Sequence, residues 1–147
     1  MIRYSHEFME AALAVDEKIG HRPGFEIVAP IPVLYLVGHS IELSLKSYLL
    51  QQGITLSDLR RNFGHNLHDS FRKAKELGLL NHVSFTNQEE GAFEILNTLY
   101  STKQLEYIIT GAKHFPIFGL VELFAVKLFN SVSVIVGFNK KFEGYHY

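Results

Sequence analysis

One stretch of the sequence places an acid, a base and a histidine on the same side of a predicted helix. His39, Glu42 and Lys46 follow one another at intervals of three and four residues, so they form one polar strip on an otherwise apolar helix. Glu42 four residues before Lys46 is the order that favours an ion pair. A solvated pair explains this spacing. A half-buried site explains it equally, with Glu42 as the partner of Lys46, His39 or a group on another helix.

A second candidate lies in the segment Arg60-Arg61-Asn62-Phe63-Gly64-His65. A histidine can take a proton from a ribose 2′-OH or give one to a leaving oxygen, and a guanidinium can stabilise charge on the phosphorus. Arg60 and His65 could therefore act on a phosphodiester without a metal. The alternative is a surface turn in which Gly64 supplies an unusual backbone angle and His65 hydrogen-bonds locally.

Metal and cofactor chemistry have weaker support. His65 and His68 could face one ion, but a site needs a third ligand and an orienting partner, and only Asp69 is near in sequence. The chain has no cysteine, which excludes thiolate ligands and nucleophiles. It also lacks a P-loop, a glycine-rich dinucleotide turn and the common hydrolase motifs. The sequence therefore predicts no metal site and no cofactor.

Charge limits the partners further. Lys and Arg number 14 against 15 Asp and Glu, so the net charge of −1 argues against a nucleic-acid binder that is basic all over. A local patch remains, and a solvated helix face explains it equally well. Its basic residues are Arg60, Arg61, Arg72, Lys73 and Lys75.

The elements that must position these side chains are helical. Apolar residues recur at helical spacing along nearly the whole chain, so we predict an all-α, four- to five-helix up-and-down bundle, a single domain over residues 1–147. Ser5, Asn66 and either Thr86 or Asn87 are the predicted N-caps. A strand over 104–109 would have no evident partner. The predicted helices run from about Ser5 to Ile19, Pro32 to Gln52, Asn66 to Leu77, Thr86 to the link at Ser101, and Gly119 to Phe138, with a short helix or turn over 55–63.

The last helix is apolar enough to raise the question of a membrane. It carries Glu122, Lys127 and Asn130, and charged groups at membrane depth are costly. We therefore expect a deeply buried helix or an interface between two copies, with a loose tail over about 139–147. The N-terminus has no signal-peptide pattern, so a cytoplasmic protein without membrane contact is expected.

The order of these features resembles the HEPN domain superfamily (higher eukaryotes and prokaryotes nucleotide-binding). The resemblance covers roughly residues 8–138. It is carried by Glu42-x-x-Leu45-Lys46-x-x-Leu49 followed by Gly53, by Gly64-His65-x-Leu67, by Ala74-x-x-x-Gly78-Leu79, and by Leu105-Glu106-Tyr107 followed by Pro116 and the apolar final helix.

The resemblance implies a helical bundle that commonly pairs as a dimer. Nuclease members act without metal through an Arg that is followed by four to six residues and then a His. Arg60 and His65, with four residues between them, satisfy that spacing. In this chain, however, the final helix has neither Arg nor His, and Glu106 stands where the family often has Arg before Tyr. His65 matches more closely the Gly-His-x-Leu signature of the non-catalytic branch.

Three functions follow as expectations. The first is a HEPN-like homodimeric module that binds a nucleotide, RNA or a nucleotidyltransferase-type partner, in a toxin–antitoxin or phage-defence setting. The second is a metal-independent endoribonuclease that uses Arg60 and His65 across the dimer. The third is a purely structural partner protein. All but the third depend on the polar strip meeting the turn before His65. The expected ligand-binding residues are Glu42, Lys46, Arg60, Arg61, His65 and Tyr107.

Overall fold

Helix formation follows the apolar spacing along most of the chain. The computed structural model describes residues 1–26, 28–106 and 114–147, and the regular structure of these residues is entirely helical. The fold is therefore all-α, as predicted. Three short pieces join the long helices: α3 (Leu56–Asp58), a π-helical turn (Leu59–Phe63) and a 3₁₀ turn (Leu79–Asn81). The long helices are α1 (Ile2–Ile19), α2 (Ile31–Gln51), α4 (Leu67–Glu76), α5 (Asn87–Ser101) and α6 (Phe118–Ile135).

Helix α2 is the centre of the bundle, in contact with α1, α4, α5 and α6. Small serine side chains on α2 let α1 approach closely. The Ser5 hydroxyl donates to the Ser40 carbonyl at 2.8 Å and lies 2.7 Å from the Ser44 hydroxyl. The prediction of Ser5 as an N-cap is wrong, because α1 begins at Ile2 and Ser5 is buried at the contact with α2.

Two of the predicted helix starts are confirmed by their caps. The Asn66 side chain accepts a hydrogen bond from the Asp69 backbone N–H at 3.2 Å, one turn into α4. Thr86 forms a reciprocal capping box with Glu89 at the start of α5. These caps depend on residues only three positions apart, which is why the local sequence predicts them.

An aromatic cluster holds α4, α5 and α6 together. The Phe124 ring of α6 is fully buried and stacks on Phe93 at 4.5 Å between centroids. It also stacks on Phe85 at 4.2 Å and meets Phe71 edge-on at 5.4 Å. Offset and edge-to-face contacts of this kind add to the burial energy of the rings.

Helix α6 is a core helix that carries partnered polar residues. Within the described residues it is the one helix that could cross a membrane by length and composition, and 56% of it is buried inside the bundle. Lys127 donates to Glu89 of α5 at 2.8 Å. Asn130 exchanges hydrogen bonds with the backbone of Phe142 at 2.8 and 3.2 Å. These partners inside one chain explain why so apolar a helix carries a lysine and an asparagine.

The tail after α6 has no regular secondary structure, but it is packed and not loose as expected. Phe142 stacks on His6 at 4.8 Å and contacts Phe129. Burial, reinforced by the charge of Glu122 on α6, raises the pKa of Tyr145 to about 12. The sequence predicts a loose tail because local composition does not reveal the hydrogen bonds of Asn130 or the aromatic contacts of Phe142, which hold the tail on α1 and α6.

Candidate functional site

The candidate site is centred on Glu42 of α2. Its carboxylate is almost fully buried and lies 2.7 Å from Nδ1 of His65, in the turn before α4. An ionised carboxylate can only accept hydrogen bonds, so Nδ1 of His65 carries a proton and donates the hydrogen bond to Oε1 of Glu42. The His65 side chain itself is 62% exposed. A buried acid therefore orients a histidine that stands at the surface.

Lys46, which lies one helical turn after Glu42 on α2, binds the loop that contains Gly64 and His65. Its ammonium group lies 3.6 Å from Oε2 of Glu42 and donates to the Gly64 carbonyl at 2.6 Å. Gly64 has φ of +47°, a conformation that favours glycine. The structure thus brings together the polar strip of α2 and the turn of Gly64 and His65, as the sequence predicted. The turn interpretation expected His65 to form a local hydrogen bond. That expectation is wrong, because the partner of His65 is Glu42, 23 residues away in the sequence.

Two further residues complete the cluster around the Glu42 carboxylate. The Tyr100 hydroxyl of α5 lies 2.9 Å from Nδ1 of His39 and donates to Oε1 of Glu42 at 3.3 Å. Burial, reinforced by the Glu42 charge, raises the pKa of Tyr100 well above its ordinary value, so this hydroxyl keeps its proton. Burial also lowers the pKa of His39, although Glu42 opposes that shift. We call these five residues (His39, Glu42, Lys46, His65 and Tyr100) the Glu42 cluster.

The sequence assigned Tyr100 to core packing and missed its place in the cluster. One signal was present: Gly38 lies in the middle of a helix, where glycine is unfavourable. A Cβ at Gly38 would lie 2.6 Å from the Tyr100 ring, so the glycine makes room for the ring beside His39. An unexplained helical glycine next to a polar strip is the kind of signal that indicates a close aromatic neighbour.

Helix α5 also fixes the start of α4. Asn97 accepts a hydrogen bond from the Leu67 backbone N–H at 2.8 Å, and Glu94 accepts one from Nδ1 of His68 at 2.7 Å. His65 and His68 therefore pair with carboxylates on different helices. No group of three or more histidine and carboxylate side chains in the described residues has an arrangement that could hold a metal ion.

The basic residues predicted as a patch divide into two groups. Arg60 and Arg61 are exposed on the π-helical turn, and no described acidic residue pairs with either. On α4, Arg72 and Lys73 lie within 3.7 and 3.2 Å of the carboxylates of Asp69 and Glu76.

The pairs on α4 neutralise much of the charge there, since each guanidinium or ammonium has a carboxylate on the same helix. The remaining basic residue, Lys75, lies over the Phe71 ring at 4.5 Å. Arg60 and Arg61 are thus the members of the patch that are exposed with neither an acidic partner nor an aromatic ring beneath their charge in the described chain. Tyr107, the remaining predicted ligand-binding residue, lies outside the described residues.

The arrangement suits proton transfer or anion binding at His65. Nδ1 is committed to Glu42, so the ring's tautomer and orientation are set by that bond. The other nitrogen, Nε2, hydrogen-bonds no described residue, and most of the side chain that carries it is exposed. It can accept a proton when the ring is neutral and donate a hydrogen bond when the ring is charged.

Comparison of the chain with known proteins identifies no relative. No family model, no curated protein and no solved structure matches it. The function is therefore inferred from the site itself and from the resemblance in its motifs.

Proposed function

We propose that this chain is a HEPN-like helical module that binds phosphate groups of a nucleotide or RNA. The binding surface consists of His65 and the adjoining π-helical turn with Arg60 and Arg61, and we call it the His65 surface. The observation that carries the proposal is the 2.7 Å hydrogen bond between buried Glu42 and exposed His65.

The hydrogen bond between Glu42 and His65 is not needed to hold the turn before α4 in place. Lys46 already closes the turn through the Gly64 carbonyl, and Asn66 already caps α4. Burying a carboxylate is costly unless it is well paired. A buried acid that reaches a histidine whose ring stays 62% exposed is typical of a ring held ready for a ligand.

The ligand class follows from the charges that face solvent. A protonated His65 can donate through Nε2, and the two arginines present planar guanidinium groups that suit phosphate oxygens. Lys46 is unsuited to this role, because its ammonium group is engaged by Glu42 and the Gly64 carbonyl. It supports the surface from below as a positioning residue.

The wider setting is proposed on the resemblance alone. It comprises a homodimer, a nucleotidyltransferase-type partner and a toxin–antitoxin or phage-defence context. The apolar character of α6 does not by itself require a dimer, since its apolar residues are largely covered by α1, α2, α5 and the tail of the same chain. Sedimentation of the protein at micromolar concentration would test the dimer.

Binding of a fluorescently labelled single-stranded RNA, followed by anisotropy at several salt concentrations, tests the phosphate surface. We expect His65→Ala and the double variant Arg60→Ala/Arg61→Ala to weaken binding. Removal of each phosphate interaction should also lower the salt slope by about 1. Glu42→Gln should weaken binding through the orientation of His65.

Matched controls are His82→Ala and Arg22→Ala, which remove exposed side chains elsewhere on the molecule. Equal binding by wild type and all the His65-surface variants would contradict the proposal. Absence of binding by both RNA and nucleotides would leave the purely structural role as the better explanation.

One observation also favours a second function, a metal-independent endoribonuclease. His65 carries its proton on Nδ1, so a neutral ring presents the lone pair of Nε2 at the surface, as a general base requires. It would take the proton of a ribose 2′-OH while that oxygen attacks the adjacent phosphorus. The bond from phosphorus to the 5′-oxygen breaks, and this oxygen takes up a proton from water. Arg60 would stabilise the charge on the phosphorus, and the products would be a 2′,3′-cyclic phosphate and a 5′-hydroxyl.

Incubation with RNA in EDTA distinguishes the enzyme from the binding module. Cleavage that is abolished in His65→Ala and Arg60→Ala, and retained in His82→Ala, would establish the nuclease. An RNA with a single 2′-deoxyribose at the cleaved position should resist, because the attacking hydroxyl is missing. RNA that binds at the His65 surface and stays intact assigns the chain to the non-catalytic branch.

A further inference from the structure

An apolar groove lies beside the Glu42 cluster, between the start of α2 and the residues that follow α5. Its volume is about 400 Å³, in the range of pockets for small ligands. The walls are mostly hydrocarbon, with one aromatic ring and one carboxylate. The lining residues are Ile31, Pro32, Tyr35, Leu36, Leu105 and Glu106.

A chain of three rings links the groove to His65 through the interior of the bundle. The Tyr35 ring, which lines the groove, has its centre 5.9 Å from that of Tyr100. The Tyr100 ring in turn lies 6.2 Å from the His65 ring and meets it edge-on. Two ring-to-ring steps therefore join the groove to the histidine, with the buried ring of Tyr100 between them.

Tyr35 is suited to stacking because its ring is only partly covered. It lies parallel to the His39 ring, with 3° between the planes and 6.4 Å between the centres, and its side chain is half-buried. Nucleobases stack on partly exposed aromatic side chains in many RNA-binding folds. The aliphatic walls beside it add apolar contact area for a base.

Glu106 is the charged group at the rim. It is exposed, and an ionised carboxylate only accepts hydrogen bonds. Guanine is the base that presents two adjacent donors, N1–H and the 2-amino group, on one edge. Adenine and cytosine place an acceptor beside their amino group, and uracil places one donor between two acceptors. A lone carboxylate therefore complements guanine best.

We propose that this groove is a base subsite for guanine, with the base stacked on Tyr35 and its Watson–Crick edge on Glu106. The inference rests on the proposed function, since it supplies the base subsite for a nucleotide whose phosphate binds the His65 surface. It names the ligand class more narrowly: a guanosine nucleotide, or a guanosine in single-stranded RNA.

Titration calorimetry with guanosine, inosine, adenosine, cytidine and uridine 5′-monophosphates tests the subsite. We expect guanosine monophosphate to bind tightest, and inosine monophosphate, which differs only by the missing 2-amino group, to bind about tenfold more weakly. Tyr35→Leu should weaken guanosine monophosphate binding about tenfold by removing the stacking surface. Glu106→Gln should remove the difference between the guanosine and inosine nucleotides.

Controls for the two variants are Tyr4→Leu and Glu17→Gln, which change exposed residues of α1. Nucleotide binding that depends on His65 but is unchanged in Tyr35→Leu and Glu106→Gln would overturn the guanine subsite and leave the phosphate surface standing. Equal affinity for all five nucleotides would overturn it in the same way. Absence of any nucleotide or RNA binding by the wild-type protein would overturn both proposals.

Discussion

Replacement of Lys127 by methionine is expected to lower the free energy of unfolding by about 3–5 kcal/mol. The Lys127 ammonium donates to both carboxylate oxygens of Glu89, at 2.8 and 3.3 Å, and both side chains are more than nine-tenths buried. Methionine keeps the volume of the side chain but leaves the Glu89 carboxylate buried without its counter-charge. The backbone N–H of Thr86 is then its remaining hydrogen-bond donor among the described residues.

Urea denaturation of the single and double variants measures this effect. The double variant Glu89→Gln/Lys127→Met should recover most of the stability, because no uncompensated charge remains and the new amide oxygen can still accept from Thr86. Arg3→Met is the matched control, since the Arg3–Glu7 pair is exposed and contributes no more than about 1 kcal/mol. If Lys127→Met lowered the free energy of unfolding by as little as Arg3→Met does, the buried Lys127–Glu89 pair would not be needed for stability.

Alanine substitutions at two helical glycines are expected to change stability in opposite directions. Gly38→Ala should destabilise the protein by about 1–2 kcal/mol, because its Cβ would lie 2.6 Å from the Tyr100 ring, and such overpacking outweighs the gain in helix propensity. Gly91→Ala in α5 meets no atom within 4 Å and should stabilise by about 0.5–1 kcal/mol.

Chemical denaturation of both variants, and of Gly38→Ala in a Tyr100→Ala background, separates the causes. With the ring removed, alanine at position 38 should stabilise as it does at position 91. Gly38→Ala should also weaken RNA binding in the presence of Tyr100, since the displaced ring withdraws its hydroxyl from Glu42. Equal stabilisation by Gly38→Ala and Gly91→Ala would show that the close approach of Tyr100 to α2 is not required.

The site was partly predictable because its two halves are local patterns. The spacing of His39, Glu42 and Lys46 places them on one side of α2 whatever the rest of the fold does. Gly64 before His65 indicated a turn of unusual backbone angle, and its φ of +47° agrees. That Glu42 meets His65 was a hypothesis about tertiary contact, and the hydrogen bond between them confirms it.

The residues that sequence reasoning missed are those whose role depends on a distant partner. Tyr100 looked like an ordinary apolar position of α5, yet its hydroxyl lies beside His39 and Glu42, 61 and 58 residues away. Ser5 looked like a cap because it stands near the start of a helix. Its hydroxyl is instead satisfied by Ser40 and Ser44 of another helix.

The amino-acid sequence alone determined the all-α class, most of the helix limits and the caps at Asn66 and Thr86. These features depend on apolar periodicity and on hydrogen bonds between residues three or four positions apart, so the local order of residues is sufficient to specify them. Only the tertiary structure decided that Lys127 pairs with Glu89, that the tail packs on α6, and that Tyr35 and Glu106 line one groove. Those contacts join residues far apart in the chain, and their geometry is set by how whole helices pack.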